Sequence, residues 1–394
     1  MSDVRLGDVE KAVREAASRR PIRLILPCHA DDIGRPALAR ILEELSEADW
    51  LAEVLVPLNG FASSASVAAV SRETFRRLAR PFRLLWCDGP EADSIRGRAA
   101  RAGLFAPGAS VTGKGWNVWL ALGVALTGAP AGRDDGVLAV HDADIVNYRH
   151  EMLLRLCAPI VHPNLGYEFA KGYYRRVTEG VMFGRVTRLL VAPLLRAAIR
   201  VAGHHPLLDY LAAFRYPLAG ECACTTGVAR DLPMAAGWGL EIGLLCEIHR
   251  RLPPSRICQV ELGPNYEHKH RPLRGTSGRA ASGLIGMARD IARELVGQLR
   301  AEGIGLDRAA LEALGATYRK TAAEAVERHA HDAVLNGLKH DEARERDTVE
   351  AFAEALRESI DDGPAVALAL PAWSRVFAAA PDLAEDMRAL IVDN

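Results

Sequence analysis

The sequence predicts an α/β fold: a mainly parallel sheet flanked by helices, followed by a C-terminal α-helical region. Three observations carry this reading. Over the first 145 residues, short β-branched or Leu-rich runs alternate with longer helical patterns. Beyond residue 284 the helical period dominates to the end. At 394 residues, the chain is longer than one hydrophobic core usually organises.

Taken in order, the strands are predicted at 22–27 (IRLILP), 53–58 (EVLVPL), 82–86 (FRLLW) and 136–142 (GVLAVHD), with helices near 35–46, 63–79 and 115–127. The middle third is mixed, with a strand in GYEFAKGYYRR, helices near 183–201 and 239–251, and a strand at 256–263. RGTSGRAASG (274–283) reads as a linker, and helices follow near 284–301, 307–337, 341–360 and 375–391. The expected organisation is a front domain over 1–276, with halves of about 20–145 and 146–276, and a helical region over 277–394.

Composition narrows the function classes. Apolar residues at 49% and charged residues at 25% exclude wholesale disorder. Lys plus Arg total 49 against 50 for Asp plus Glu, a net charge of -1, which gives no basis for expecting a nucleic-acid partner. The most apolar run, Val118 to Thr127, is about half of what a bilayer span needs. The N-terminus has no apolar signal core, and the seven scattered cysteines suit reduced thiols, so a cytoplasmic protein is expected. Cys222 and Cys224 read as core thiols. Charge is segregated along the chain: residues 171–200 hold seven basic side chains against Glu179, while 341–362 hold nine acidic and three basic ones. The acidic run reads as a solvated helix face. The basic run, with its glycines and aromatics, suits loops that approach an anionic ligand.

In parallel sheets ligands bind beyond the carboxyl ends of the strands, so the residues closing each run are the first candidates. Asp142 and Asp144 flank Ala143 where VLAV ends; one residue apart on an extended chain, they point the same way and can hold a hard divalent cation. Such a cation could bridge the diphosphate of a nucleotide-sugar. Lys114, in Gly113-Lys114-Gly115, nearly completes a P-loop, but Gly115 replaces the hydroxyl residue and no strand precedes it. What remains is a lysine before a helix, suited to a diphosphate or simply exposed in a turn. His268 and His270, two apart after a strand, could join a metal or an anion or be structural.

Together PCHADD (27–32), VPLNGF (56–61), GKG (113–115), DAD (142–144), KGYYRR, GRVTRLLVAPLL (184–195), PLAGE (217–221), GWGLEIGLL (237–245) and EHKHRPL (267–273) resemble the glucosyl-3-phosphoglycerate synthases. Those are retaining glycosyltransferases with a GT-A, Rossmann-like fold. The match runs in order over about two thirds of the chain. The resemblance implies a donor site for a UDP- or GDP-hexose at Pro27, His29, Asp31, Asn59, Lys114, Asp142 and Ala143, with Trp238 and Glu241 around the sugar. It implies Mg2+ or Mn2+ on Asp144 and His268, and 3-phosphoglycerate at Gly184, Arg185, Thr187 and His270. Asp144, Lys114 and Glu241 would then carry the chemistry. The chain differs from the family's usual pattern in having Asp31 for Glu, Asn59 for Ser, Trp238 for Tyr and His270 for Asn.

The expected reaction is transfer of a hexose, glucose or mannose, to the 2-hydroxyl of 3-phosphoglycerate or glycerate. A sugar nucleotidyltransferase and a non-catalytic interaction protein are the rival readings. Against the first, no G-x-G-T-R type loop follows IRLILP. Apolar stripes in 322–340 and 351–360 could pack on the front domain or on a second copy, and a homodimer is expected.

Overall fold

The computed structural model describes residues 6–105, 111–127, 136–263, 267, 283–361 and 369–392. The first segment holds α1 (Leu6–Ala17), β1 (Ile22–Ile25), β2 (Cys28–His29), α2 (Pro36–Glu47), β3 (Leu51–Asn59), α3 (Ser64–Glu73), β4 (Phe82–Trp86) and α4 (Pro90–Arg101). Then come α5 (Lys114–Thr127), β5 (Val137–Val140), α6 (His150–Val161), β6 (Phe169–Tyr173) and the hairpin strands β7 (Val177–Thr178) and β8 (Val181–Met182). A π-helical stretch, Val186–Val191, runs into α7 (Ala192–Ala202), followed by α8 (Pro206–Ala212), β9 (Cys222–Thr225), α9 (Thr226–Asp231), β10 (Met234–Ala235), α10 (Leu240–Arg251) and β11 (Ile257–Glu261). The C-terminal region holds α11 (Leu284–Ala301), α12 (Arg308–Leu335), α13 (Glu342–Asp361), β12 (Ala369–Leu370), α14 (Trp373–Ala379), α15 (Leu383–Asp386) and β13 (Ile391–Val392).

The main sheet has the order β11-β6-β9-β5-β1-β3-β4-β13, with β2 beside β3. Strands β5, β1, β3 and β4 are mutually parallel, as the alternating pattern predicts; β9 runs antiparallel between β5 and β6. Ile22, Leu24, Val54, Val56 and Leu84 fill one face of the sheet against α2 and α6. On the other face lies α5, the apolar run that is too short for a membrane span. Nearly all of its side chains are buried, so it packs on every side as a core helix. Among the described residues no helix is long and apolar enough to cross a membrane.

The C-terminal region is largely helical, and its last segment returns to the sheet. β13 pairs antiparallel with β4, and β12 with β10. The Trp373 ring stacks on Trp119 at 4.2 Å, and Trp119 on Trp116 at 5.3 Å. Trp119 Nε1 donates to the Pro371 carbonyl and Trp373 Nε1 to that of Trp119, so both indole donors are satisfied inside the core. The expected boundary near 276 lies outside the described residues. Much of the stripes of α12 and α13 packs within this chain, where Ala322, Ala325, Val326, Phe352, Ala355 and Leu356 are buried; just before them Tyr318 donates from α12 to the Leu189 carbonyl, and Thr321 to that of Pro193.

Candidate active site

The carboxyl ends of β1, β3 and β5 open into a cavity of about 780 Å³. It collects Pro27, His29, Asp31, Asn59, Lys114, Asp142, Ala143 and Asp144 from the front of the chain. From the middle it takes Gly184, Arg185, Thr187, Trp238 and Glu241. Every expected site residue among those described therefore faces one space. His268 and His270 lie outside the described residues.

One wall is built around Lys114. This residue is the first of α5, and its side chain is largely buried, which excludes an exposed turn lysine. Its Nζ lies 2.5 Å from Asp142 Oδ1 and 3.1 Å from Glu241 Oε1. Burial opposes the charge, yet the two carboxylates outweigh it and hold the Lys114 pKa well above its usual value. The incomplete P-loop has a steric cause: a Cβ on Gly115 would lie 1.9 Å from the Ala235 carbonyl oxygen, so a Ser or Thr cannot stand there. Glu241 occupies the first turn of α10, where the helix dipole favours a carboxylate.

Carboxylates crowd the same wall. Burial, then the charges of Asp142 and Asp32, push the Asp144 carboxyl up to about 7. Partly buried carboxylates that also repel one another at a strand end are oxygen donors of the kind that suits a hard divalent cation such as Mg2+ or Mn2+. Behind them His141 is fully buried, edge-on to Tyr148 at 5.6 Å, and burial pushes its pKa down to about 3, so the imidazole is neutral. Lys171 corrects the sequence reading, which placed it among the anion-binding groups. It is buried in β6, donates to the Ala219 carbonyl at 2.6 Å, and burial lowers its pKa. Arg175 is exposed, and Arg176 is the member of that stretch that lines the cavity.

The opposite wall is cationic. Gly184 turns the chain with φ of 75°, a left-handed conformation that also brings it under the Tyr216 ring, where a Cβ would lie 3.0 Å from the hydroxyl. Arg185 and Thr187 then begin the π-helical stretch that continues into α7, so a helix N-terminus with its positive dipole end faces the cavity. Arg176 Nη1 donates to Tyr216 Oη at 3.4 Å. Arg188, one turn further, reaches α13 and α12: its Nη2 lies 2.6 Å from Glu345 Oε1 and its Nη1 2.9 Å from His329 Nδ1. Burial would raise the Glu345 pKa, but the hydrogen bonds from His329 and Arg188 prevail and hold it near 2. The acidic run is thus more than a solvated face, because Glu345 anchors it to the basic run. Asp32, which lies in the strand-end run 27–32 but has no role in the sequence reading, also lines the cavity. Sequence reasoning missed Tyr174, Tyr216 and the C-terminal contributors Leu284, Met287 and Arg344, which line it too; nothing in their local sequence marks them.

No family model matches the chain. It is similar over nearly its whole length to characterised proteins: glucosyl-3-phosphoglycerate synthase of Persephonella marina is 36% identical, spanning 99% of this chain and 94% of that one. The enzyme of that name from Methanococcoides burtonii is 34% identical, over 93% of this chain and 89% of its own. The fold is similar to that of glucosyl-3-phosphoglycerate synthase from Mycobacterium tuberculosis in complex with phosphoglyceric acid, with a TM-score of 0.52, 24% identity and coverage of 77% and 85%. The same enzyme in complex with Mn2+, uridine diphosphate and glucosyl-3-phosphoglycerate gives a TM-score of 0.50 at 25% identity, again over 77% of this chain and 85% of that one. A sheet whose carboxyl end carries a D-x-D pair, an arginine-lined wall facing it, and relatives of this identity over the full length lead to one conclusion: the chain belongs to the glucosyl-3-phosphoglycerate synthase family.

Proposed function

We propose that the protein is a metal-dependent glycosyltransferase that moves glucose from UDP-glucose to the 2-hydroxyl of 3-phosphoglycerate with retention of configuration. The observation that carries this is the single cavity with an acidic wall holding Lys114 and an arginine wall opposite. A donor whose diphosphate needs a cation and an acceptor with a phosphate and a carboxylate fit such a division.

On the donor side, Pro27, His29, Asp31 and Asn59 edge the space for the nucleotide, and Ala143 keeps the D-x-D backbone close to it. Asp144, with His268 implied by the family motif, would hold Mg2+ or Mn2+, which would supply charge compensation for a departing diphosphate. Lys114 lies between Asp142 and Glu241, so its ammonium is fixed where the diphosphate enters. Trp238 and Glu241 border the sugar, and a carboxylate there can accept from its hydroxyls. Arg185, Thr187 and the backbone at Gly184 receive the acceptor; the family motif implies a role for His270 as well. No side chain among those motifs is an evident nucleophile. The family retains configuration, so the acceptor hydroxyl attacks on the face the diphosphate leaves, and a phosphate oxygen of the leaving group takes its proton.

The seven cysteines are free thiols, which supports a cytoplasmic setting. A homodimer belongs to the same proposal; Val334 and Leu335, exposed side by side at the end of α12, support it, and sedimentation at several concentrations tests it. The reaction itself is tested by incubating the protein and Mg2+ with UDP-glucose, GDP-glucose and GDP-mannose, each with 3-phosphoglycerate or glycerate, and identifying products by mass. Glucosyl-3-phosphoglycerate from UDP-glucose is expected. Pyrophosphate release from a nucleoside triphosphate and a sugar phosphate would establish a nucleotidyltransferase instead.

A further inference from the structure

Arg344 lies in the C-terminal region, far in sequence from every motif, yet it lines the same cavity as Arg185. Its position is electrostatically unfavourable. It sits in the first turn of α13, where its backbone N–H is capped by Asp341 Oδ1 at 3.0 Å and the helix dipole disfavours a cation. The other arginines of that helix have partners: Arg346 pairs with Glu342 at 2.6 Å, and Arg357 with Glu354 at 2.5 Å. Arg344 forms no ion pair among the described residues, although nine carboxylates lie within residues 341–362.

Arg185 shows the complementary sign. Its Nη1 is buried without a hydrogen-bond partner among the described residues. Burial, then the charges of Arg344 and Arg188, lower its pKa, so Arg344 is close enough to repel it. Arg188 is neutralised by Glu345, which leaves Arg185 and Arg344 as a pair of cations directed at one space. Holding two guanidiniums together without a counter-charge costs stability, and a doubly charged anion between them reverses the sign. The next residue, Glu345, fixes the helix to the acceptor segment through Arg188, so the position of Arg344 is set by the fold.

We propose that Arg344 is a specificity-determining residue that clamps the acceptor's phosphate together with Arg185, making α13 part of the acceptor site. This rests on the proposed acceptor. It assigns the phosphate, rather than the carboxylate, to the arginine pair, because a phosphate offers enough charge and oxygens for two forks.

The test is calorimetric titration of 3-phosphoglycerate and of glycerol 3-phosphate, which keeps the phosphate and lacks the carboxylate, into wild type, Arg344→Ala, Arg344→Gln and Arg344→Lys, alongside steady-state kinetics. Loss of one charge-assisted contact should weaken both ligands about 10- to 100-fold in the Ala and Gln variants, with partial recovery in Lys. The UDP-glucose KM and the saturated kcat should stay within about two-fold. Arg344 is exposed and outside the Arg188–Glu345–His329 cluster, and its repulsion of Arg185 is lost in the Ala and Gln variants, so thermal melting without ligand should hold or rise slightly. Unchanged affinity for both ligands in Ala and Gln would overturn the assignment, as would a loss confined to 3-phosphoglycerate or an equal rise in donor KM. Wild type that binds neither phosphate ligand but transfers to another acceptor overturns the proposed acceptor itself; wild type that binds both as tightly as the variants do overturns Arg344 alone.

Discussion

The two walls of the cavity solve opposite electrostatic problems. On the donor wall Asp32, Asp142 and Asp144 crowd together, and Lys114 is already engaged by Asp142 and Glu241. On the acceptor wall Arg185 and Arg344 repel one another and form no ion pair among the described residues, while Arg188 behind is neutralised by Glu345. One side has an excess of anionic oxygen and the other an excess of guanidinium. The same cavity is therefore equipped for a cation at one end and an anion at the other. The walls also differ in origin. The donor wall comes mostly from strand ends of the front sheet, whereas the acceptor wall joins a π-helical turn to a helix from the C-terminal region.

The sharpest break of this comparison is Asp144→Ala. It should lower kcat by about 10²–10³-fold or more, and a variant with near wild-type, metal-dependent turnover would remove the metal from this wall. The same substitution relieves carboxylate crowding, so the melting temperature in chelator should hold or rise. Next is Lys114→Ala, which leaves Asp142 and Glu241 partly buried without their shared cation. Urea denaturation should show a loss of about 3 kcal/mol, accompanied by a higher UDP-glucose KM.

Arg185→Ala acts on the other wall. The acceptor KM should rise about 10- to 100-fold with the donor KM unchanged; a matching rise in donor KM would erase the distinction between the two sides. The smallest effect concerns the joint behind that wall. The folded pKa of Glu345 lies below its ordinary 4.5, at about 2, so its stabilising contribution is complete above 4.5 and is lost as pH falls towards 2. Glu345→Gln should remove about 1–2 kcal/mol of stability at neutral pH and flatten the acid limb of the stability curve in that window. An acid limb identical to wild type would show that the Arg188 contact contributes nothing.

How much of this the sequence disclosed follows from the physics of each part. β4 at 82–86 and α11 at 284–301 lie where the period places them, because their burial is one-sided or complete and their ends are marked by Pro, Gly or charge. α4 escaped because PEADSIRGRAAR is too polar for a clear stripe, with Ala92, Ile95 and Ala99 alone buried; its start signals are Pro90 after Gly89 and the acidic Glu91 and Asp93 of its first turn. α6 carries Pro159 inside the helix, which argues against helix locally and is overridden by packing on the sheet. β9, CACT, has no β-branched run; its strand state comes from lying antiparallel between β5 and β6, a long-range condition. In the site, Asp142, Asp144 and Lys114 were legible because chemistry at a strand end or helix start is local. Arg344 was not, because an arginine within an acidic helix reads as surface until the fold brings it to Arg185. Lys171 misled for the converse reason: neighbouring arginines suggested an anion site, while the strand turned it into the core.

Proton NMR of the isolated product from UDP-glucose, 3-phosphoglycerate and Mg2+ tests most directly whether the acidic wall activates a glucosyl donor for an acceptor held by the arginine wall, on the face the diphosphate leaves. An α-glucosyl anomeric signal, with the small coupling of the donor, attached at carbon 2 of phosphoglycerate is expected. A β-anomer, attachment elsewhere, or consumption of UDP-glucose without any glycoside would contradict it.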